Sequence, residues 1–478
     1  MHTKTLLAIG VLLLPAGALG ITTQVIQLRS VVPQLPAQDC SAARSGGLDF
    51  AEGRTPPLPP EAPLEPPEVP ESTPPDTLPT LLGADGLEVE PPAETDPTLL
   101  PLQPLEGNPQ DIWRVGEVLR RAEVGERVRM TVFGASHTGG DYWTGHIRRV
   151  MQSRYGDAGH GFILPAALYR GFRNSDINLC RTDGWRPDYD RAKTSWGDHY
   201  LGLGMSVSSS SAEDFGWVET TRSNPHGRAV SRYRIFGLMQ PEGGTLTARV
   251  DQGPPLSFPT AADAPELLQA WIDVEPGAHR LTVSPQGDGE VRLFGISAER
   301  AGPGVIVDAI GIRGRQAKSW LSWDEPLMDQ MMTALDPDLV VLAYGTNEAA
   351  DPDYTMEAYT ADLRAVLARL RQTRPHAACV LVGPSDRAIK KSRTTPWIWD
   401  RTEPVAQVQR TVAPEFGCVF WDWQQATGGP GSMLIWRQYS PRLAAGDYIH
   451  FTPDGYTHSA ELFIAALDDA RSLSLPPR

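Results

Sequence analysis

Two kinds of hydrophobic pattern alternate along the second half of the chain. Apolar residues recur at helical spacing over 327–335, 359–370, 405–412 and 459–470. Short, almost wholly apolar runs, typical of buried strands, lie between these segments at 339–344, 379–382 and 418–421. Because strands that alternate with helices form a parallel sheet covered on both faces, this half of the chain predicts an α/β fold.

The same alternation begins near residue 108. Asn108 and Pro109 form a helix-start signal, in which a capping side chain is followed by proline at the first helical position. A strand is predicted over 128–133, and a second amphipathic helix over 143–151. Since ligands of such sheets bind at the carboxyl ends of the strands, we expect the chemistry to lie in the loops that follow them.

Between residues 172 and 301 the pattern changes to short β-rich runs separated by glycine and proline. The clearest runs lie at 233–238, 245–250, 270–274, 279–283 and 291–296. This pattern is typical of an antiparallel β-sandwich. We therefore expect a discontinuous α/β domain at 108–171 and 302–478, interrupted by an inserted β-sandwich-like domain at 172–301.

The first 26 residues have the pattern of an export segment. A polar start containing Lys4 is followed by an apolar run over 6–14 and by the small residues Ala18 and Gly20. The apolar character continues to Ile26, so the segment is either a cleaved signal peptide or an uncleaved membrane anchor. Both alternatives predict an extracytoplasmic protein, in the periplasm or cell envelope or secreted, and the second adds a membrane tether.

Residues 27–107 are rich in proline and acidic residues, most densely between 56 and 104. A segment of this composition cannot bury enough apolar surface to fold by itself, so we expect a disordered, extended linker. It is either a spacer that holds the folded domain away from a membrane or a linker without a specific role.

Charge and cysteine content narrow the function classes. The 43 Lys and Arg residues against 58 Asp and Glu give a net charge of −15, which argues against nucleic acid or anionic lipid as a general partner. Four cysteines are too few for a disulfide scaffold. Cys379 and Cys418 lie in apolar runs, where we expect inert buried thiols.

The first candidate for chemistry is Ser136, which lies between glycine residues at the end of the first strand, in the run from Phe133 to Asp141. A nucleophilic serine needs a tight turn between a strand and a helix, so that its hydroxyl projects beyond the sheet and backbone N–H groups face developing negative charge. Glycine-serine turns are common, so this motif alone is weak evidence.

The second candidate is the pair Asp447 and His450. A carboxylate three residues before a histidine can accept one imidazole N–H within a single loop, which fixes the tautomer and leaves the other nitrogen free as a base. The alternative is a surface loop that caps the last helix, with Thr452 or Asp454 as the cap. A capping role is plausible for Asp454 and less plausible for Asp447 and His450.

Two further turns carry possible oxyanion donors. Asn347 follows the strand at 339–344, where its amide N–H could donate to an oxyanion, although it could equally form an Asx-turn at the next helix start. In the segment 308–315, glycines would let a backbone N–H approach a ligand closely. By itself this segment could be any turn.

Taken in chain order, the serine turn, glycine turn, asparagine turn and Asp-x-x-His pair resemble the four blocks of the SGNH/GDSL hydrolase superfamily. The resemblance covers about 110–170 and 303–478 and implies a three-layer α/β/α domain with a parallel sheet. The Ser-His-Thr-Gly-Gly-Asp run and the long insert look most like bacterial peptidoglycan O-acetylesterases and related polysaccharide esterases.

The resemblance also implies residue roles. Ser136 would be the nucleophile, His450 the base and Asp447 its partner, while the Ser136 and Gly314 amides and the Asn347 side chain would form the oxyanion hole. The family usually has aspartate directly before the serine, whereas this chain has Ala135. That change leaves the triad intact but removes an acid that supports the loop.

Other histidines and tryptophans have simpler interpretations. His137, His146 and His160 are spaced too irregularly for a metal site, so we expect no metal and no cofactor. The tryptophans of the β-rich segment could stack on sugar rings, but they more often belong to a core; they are Trp185, Trp196, Trp217 and Trp271.

These observations predict a monomeric serine esterase that removes acetyl groups from an O-acetylated cell-envelope polysaccharide. The same triad would serve a polysaccharide O-acetyltransferase, in which a sugar hydroxyl replaces water as the acceptor. A non-catalytic carbohydrate-binding protein is a third possibility, which the absence of an acid at position 135 favours and the intact Ser136, Asn347, Asp447 and His450 oppose.

Overall fold

The computed structural model describes residues 67–91, 96–165, 172–190, 195–222, 225–390 and 396–474. The predicted signal or anchor segment at 1–26 and the first part of the predicted linker lie outside these ranges. Within them, no helix is both long enough and apolar enough to cross a bilayer.

Each strand and helix that the sequence pattern predicts is present, and the structure adds further short elements. The strands are β1 (Leu81–Leu82), β2 (Glu88–Val89), β3 (Arg127–Gly134), β4 (Gly161–Ile163), β5 (Ile177–Arg181), β6 (Arg186–Tyr189), β7 (Met205–Ser209), β8 (Gly216–Thr220), β9 (Val230–Met239), β10 (Thr245–Val250), β11 (Leu256–Pro259), β12 (Glu266–Gly277), β13 (Arg280–Pro285), β14 (Val291–Glu299), β15 (Gly304–Gly311), β16 (Leu339–Ala343), β17 (Ala378–Val382), β18 (Ala388–Lys390), β19 (Pro396–Ile398) and β20 (Val419–Trp421). The α-helices are α1 (Pro109–Glu123), α2 (Ser136–Gly139), α3 (Trp143–Tyr155), α4 (Glu325–Leu335), α5 (Thr346–Ala350), α6 (Met356–Thr373), α7 (Thr402–Val412), α8 (Trp423–Ala426), α9 (Ser432–Trp436) and α10 (Pro453–Ser472).

Five parallel strands form the central sheet in the order β15-β3-β16-β17-β20. Gly134 at the end of β3 is in register with Gly311 of β15 and with Ala343 of β16. The carboxyl ends of these three neighbouring strands are therefore level, so the loops that follow them lie side by side. The predicted α/β fold with a parallel sheet is confirmed.

Side chains on the two faces of this sheet belong to separate hydrophobic clusters. Val132 packs in the cluster that contains residues of α1, α3 and α10, whereas its neighbour Phe133 packs in the cluster that contains residues of α4, α6 and α7. Successive strand residues point to opposite faces, so the sheet is covered by helices on both sides. This is the three-layer arrangement that the family resemblance implies.

The inserted region consists of two antiparallel sheets with a shared core. Their strand orders are β11-β10-β13-β8-β5 and β12-β9-β14-β7-β6, with β4 paired to β14. Buried residues of both sheets, such as Leu246 and Leu293, lie in one hydrophobic cluster. Because β4 pairs with β14, the antiparallel part begins earlier along the chain than the expected boundary at 172.

The described part of the predicted linker is not a free tether. Leu81 and Leu105 are only 1% and 5% exposed and belong to the cluster around α1, α3 and α10. Glu106 exchanges two backbone hydrogen bonds of 2.8 Å with Phe420, which covers the edge strand β20. The expectation of disorder up to residue 107 is therefore wrong for this part, because single leucines among the prolines dock onto a surface that the rest of the chain provides.

The prediction of inert thiols is also wrong. Cys379 and Cys418 form a disulfide. Val380 and Val419 are paired in register on the adjacent strands β17 and β20, which brings the two preceding cysteines to a Cα–Cα distance of 4.6 Å. Cys180 is disulfide-bonded as well.

Candidate active site

Ser136 lies at the carboxyl edge of the parallel sheet, on a turn that only small residues permit. It is the first residue of α2 and follows β3 after Ala135. A Cβ atom on Gly134 would lie 2.1 Å from Thr138 Oγ1, and a Cβ atom on Gly311 would lie 2.1 Å from Gly139 N. The glycines thus allow the turn to close against the neighbouring strand, and they leave Ser136 partly accessible.

Ser136, His450 and Asp447 form a continuous hydrogen-bonded relay. Ser136 Oγ lies 2.8 Å from His450 Nε2, and His450 Nδ1 lies 2.7 Å from Asp447 Oδ2. With the Nδ1 proton donated to the carboxylate, Nε2 is the acceptor that a general base requires. The structure therefore brings Ser136 to a histidine that lies 314 residues away in the sequence.

The Asp447 carboxylate is held in its ionised form. Burial opposes ionisation, but the His450 side chain and the backbone N–H groups of His450 and Ile449 all donate to this carboxylate, and together they lower the pKa of Asp447 well below its usual range. An ionised partner can stabilise the imidazolium that forms when the histidine accepts a proton.

The loop that carries Asp447 and His450 is held in place by hydrogen bonds. Ala445 N–H donates to the His450 carbonyl at 2.8 Å, and Ala388 N–H donates to the Tyr448 carbonyl at 3.0 Å. Thr452 caps α10 by accepting a hydrogen bond from Gly455 N–H at 3.2 Å. The cap of the last helix is thus Thr452, and Asp447 is free to serve the histidine.

Gly314 and Asn347 lie in the turns that follow β15 and β16, the two strands that flank β3. Gly314 has a φ of +69°, a conformation that glycine adopts without strain. Its N–H donates to no group in the described parts of the chain. Asn347 Nδ2 donates one hydrogen bond, of 2.8 Å, to the carbonyl of Arg315. Its second N–H has no partner among the described residues and can donate to a ligand.

Glu348 joins these two turns and was not singled out by the sequence. Its side chain is fully buried; one carboxylate oxygen accepts from Ala317 N–H at 2.7 Å and the other from Gly345 N–H at 2.9 Å. Burial raises the pKa of Glu348 to about 7, against the effect of these hydrogen bonds. The carboxyl group therefore fixes the spacing between the Gly314 turn and the Asn347 turn.

His137 is a second residue whose place the sequence did not reveal. It is buried, its Nδ1 lies 2.8 Å from the Tyr456 hydroxyl, and its ring centroid lies 5.0 Å from that of His450. Burial first, and the neighbouring His450 second, lower the pKa of His137 well below its ordinary value. A neutral His137 packs against the base without adding a second positive charge.

The turn that carries Ser136 is anchored at its far end by Asp141. Arg148 donates to both oxygens of this buried carboxylate, at 2.7 and 2.8 Å, and Thr144 and Ser175 donate to it as well, at 2.6 Å each. Ala135 itself is buried. The support that an acid at position 135 would provide is thus replaced in part by the network around Asp141, six residues further on.

The other histidines and the tryptophans named in the sequence analysis differ in their burial and in their contacts. His146 is paired with Glu461, and burial lowers the pKa of His160 to about 3. In the part of the chain that the structure describes, no three His, Cys, Asp or Glu side chains are grouped to hold a metal. Trp185 is buried, Trp217 and Trp271 are half-buried, and Trp196 is 41% exposed.

Comparison with known proteins adds independent information. Residues 283–458 match the GDSL-like lipase/acylhydrolase family, a range that contains Asn347, Asp447 and His450 and begins after Ser136. A solved structure described as a peptidoglycan O-acetylesterase in action is 26% identical, with a TM-score of 0.63, and the match covers 77% of this chain and 98% of that one. A family two carbohydrate esterase from Cellvibrio japonicus is 12% identical, with a TM-score of 0.26, covering 62% of this chain and 98% of that one. Curated protein sequences give no match.

Proposed function

Because this chain carries a GDSL-like lipase/acylhydrolase domain and is a carboxylic ester hydrolase, we propose that it removes acetyl groups from an O-acetylated cell-envelope polysaccharide such as peptidoglycan. The single observation that carries the catalytic part of this proposal is the relay from Ser136 Oγ through His450 to Asp447, with distances of 2.8 and 2.7 Å.

In the proposed reaction, His450 Nε2 accepts the hydroxyl proton of Ser136 while Oγ attacks the acetyl carbonyl carbon. The carbonyl oxygen becomes an oxyanion, which the N–H groups of Ser136 and Gly314 and the second N–H of Asn347 stabilise. The imidazolium then gives its proton to the sugar oxygen as the ester bond breaks. An acetyl group is left on Ser136.

Water completes the cycle by the same route. His450 accepts a proton from the water as its oxygen attacks the acetyl-Ser136 carbonyl, and the same three donors stabilise the second oxyanion. The Ser136–acetyl bond breaks, Ser136 Oγ regains its proton from the imidazolium, and acetate is released. No redox step and no further reactant is needed.

Two observations support the substrate and its location. The structural neighbour with a TM-score of 0.63 is described as a peptidoglycan O-acetylesterase, and peptidoglycan lies outside the cytoplasm. The disulfide between Cys379 and Cys418 suits an oxidising, extracytoplasmic compartment. We propose an extracytoplasmic site of action on these grounds.

The test is an assay of acetate released from O-acetylated peptidoglycan and from an aryl acetate. We expect free acetate from both substrates, with acid-treated, de-O-acetylated peptidoglycan as the negative control. Transfer of the acetyl group from the aryl ester to de-O-acetylated glycan, without free acetate, would instead identify an O-acetyltransferase. Release from the aryl ester alone would retain the esterase and overturn the proposed substrate.

A further inference from the structure

A cavity of about 680 Å³ lies beside the Gly314 and Asn347 turns. It is lined by residues of these turns, of the segments 315–322 and 350–352, by Asp362 of α6 and by Asp190. Ser136, His450 and Asp447 are not among its lining residues. The cavity therefore continues the candidate active site on the side of the oxyanion donors. Its volume is within the range of small-molecule sites.

Building on the function proposed above, we infer that this cavity is a subsite for a neighbouring sugar unit of the polysaccharide, held through its hydroxyl or amide groups. A site for an acyl chain would be lined mostly by apolar side chains. Here Leu321 is the only large aliphatic residue among the described residues that line the cavity. The lining thus favours a hydroxylated ligand over the hydrocarbon chain of a lipid ester.

Lys318 supplies the donors. Its ammonium nitrogen lies 3.6 Å from the centroid of the Tyr354 ring, and no carboxylate in the described ranges forms an ion pair with it. The aromatic ring holds the cation in place through a cation–π contact, while the three N–H groups of the ammonium remain available to ligand oxygens.

Asp351 and Asp362 supply the acceptors. One oxygen of Asp351 accepts from Gln316 Nε2 at 3.2 Å, and one oxygen of Asp362 accepts from the Tyr354 hydroxyl at 2.5 Å. An ionised carboxylate has about four lone-pair sites, so each group can accept further hydrogen bonds from sugar hydroxyl or amide N–H groups while its internal partner holds it in place.

The cavity is connected directly to the oxyanion donors. Gln316 Nε2 lies 3.2 Å from both Asp351 Oδ2 and the carbonyl oxygen of Asn347. A ligand that contacts Asp351 thereby touches the network that fixes Asn347. Binding energy from a part of the substrate that does not react can then be used to orient the reacting part, so polymeric substrates should be hydrolysed better than small esters.

The test uses the full chain with Lys318→Met and Asp351→Asn. Soluble O-acetylated peptidoglycan fragments and p-nitrophenyl acetate serve as substrates, and the readout is the ratio of the two kcat/KM values. We expect each substitution to lower this ratio about tenfold, as the loss of a hydrogen bond to a charged group does. Lys318→Arg should restore most of the ratio. Asp353→Asn is the matched control, because Asp353 is an exposed acid two residues from Asp351 that does not line the cavity.

The unfolding midpoint, compared with that of the wild type, reports that a variant is folded. A ratio that stays at the wild-type value in both folded variants would overturn the subsite, while acetate release by the wild type from neither substrate would overturn the proposed function instead. A second arm compares p-nitrophenyl acetate with p-nitrophenyl octanoate. Faster hydrolysis of the octanoate by the wild type would show that the cavity accepts an acyl chain, which would also overturn the inference.

Discussion

The side chain of Asn347 donates a hydrogen bond of 2.8 Å to the carbonyl oxygen of Arg315, so the turns that follow β15 and β16 are joined directly. Glu348 joins them a second time through Ala317 N–H and Gly345 N–H. The proposed oxyanion donors Gly314 and Asn347 are therefore parts of one cross-linked unit. Their spacing is set by contacts that do not themselves touch the substrate.

The first prediction concerns Glu348 as a positioning residue. Glu348→Gln keeps the shape but offers one acceptor oxygen where two backbone N–H groups need partners, and it leaves one of them unsatisfied at a cost of about 1–3 kcal/mol. We expect kcat on an aryl acetate to fall about tenfold or more, with a smaller change in KM. Glu357→Gln, an exposed acid in the first turn of α6, is the control and should leave kcat as in the wild type.

The same variant has a pH signature. The pKa of Glu348 is raised from 4.5 to about 7, so the folded protein holds this proton more tightly than the unfolded chain does. The resulting stability is fully present below the unfolded value and is lost as the pH rises through about 7. We therefore expect the advantage of the wild type over Glu348→Gln in free energy of unfolding to shrink between pH 4.5 and 7. A constant difference would contradict the buried, titrating carboxyl group.

The second prediction distinguishes the roles of Asp447 and Asp454. Asp447→Asn removes the negative charge that stabilises the imidazolium and disturbs the tautomer of His450, so kcat should fall by about 10² to 10⁴. Asp454→Asn, in the first turn of α10, should leave kcat nearly unchanged, since Thr452 is the cap. Turnover of an aryl acetate by the two variants decides the matter, and a greater loss at Asp454 than at Asp447 would reverse the assignment.

The third prediction concerns the disulfide between Cys379 and Cys418, which are 39 residues apart in sequence. Replacing both cysteines by alanine should lower the free energy of unfolding by about 2–4 kcal/mol. Because both residues lie outside the proposed site, esterase activity at low temperature should persist. Peptide mapping without reduction should recover the linked peptides; alkylation of Cys379 and Cys418 in the native protein would exclude the bridge.

The fourth prediction concerns the segment before α1. Removing residues 1–66 should leave the thermal unfolding midpoint as in the full chain. Removing residues 1–107 also deletes Leu81 and Leu105, each worth about 1.5–3 kcal/mol when fully buried, and uncovers β20. A clear drop in the midpoint is expected for the second deletion only, measured by calorimetry. Equal midpoints for the two deletions would show that this segment adds no stability.

Much of the α/β fold and of the candidate site follows from short-range sequence patterns. The buried strands and amphipathic helices have clear hydrophobic patterns. The loops after two strands and the Asp-x-x-His spacing indicate Ser136, Asn347, Asp447 and His450 as candidates, and the family resemblance assigns their roles. The level ends of β3, β15 and β16 explain why the Ser136, Gly314 and Asn347 turns lie side by side. Gly314 was placed by the family resemblance, since its turn has no distinctive pattern of its own.

Other features could not be predicted from the sequence, because they depend on strand register and on surfaces formed by distant segments. The pairing of Val380 with Val419 decides that Cys379 faces Cys418, and no local pattern encodes that register. Leu81 docks on a surface that exists only after folding. Glu348 and His137 are polar residues buried beside functional groups; an acid directly after Asn347 and a histidine directly after Ser136 were the available signals, and each is ambiguous without the fold.

The most direct test of the central claim is the activity of Ser136→Ala on O-acetylated peptidoglycan and on an aryl acetate. The substitution removes the only atom proposed to form the acetyl-enzyme and leaves the oxyanion amides in place. We predict that kcat falls by about 10³ or more on both substrates, while the far-ultraviolet spectrum and the unfolding midpoint remain those of the wild type. A folded Ser136→Ala protein that releases acetate at a rate close to that of the wild type would contradict the proposed mechanism.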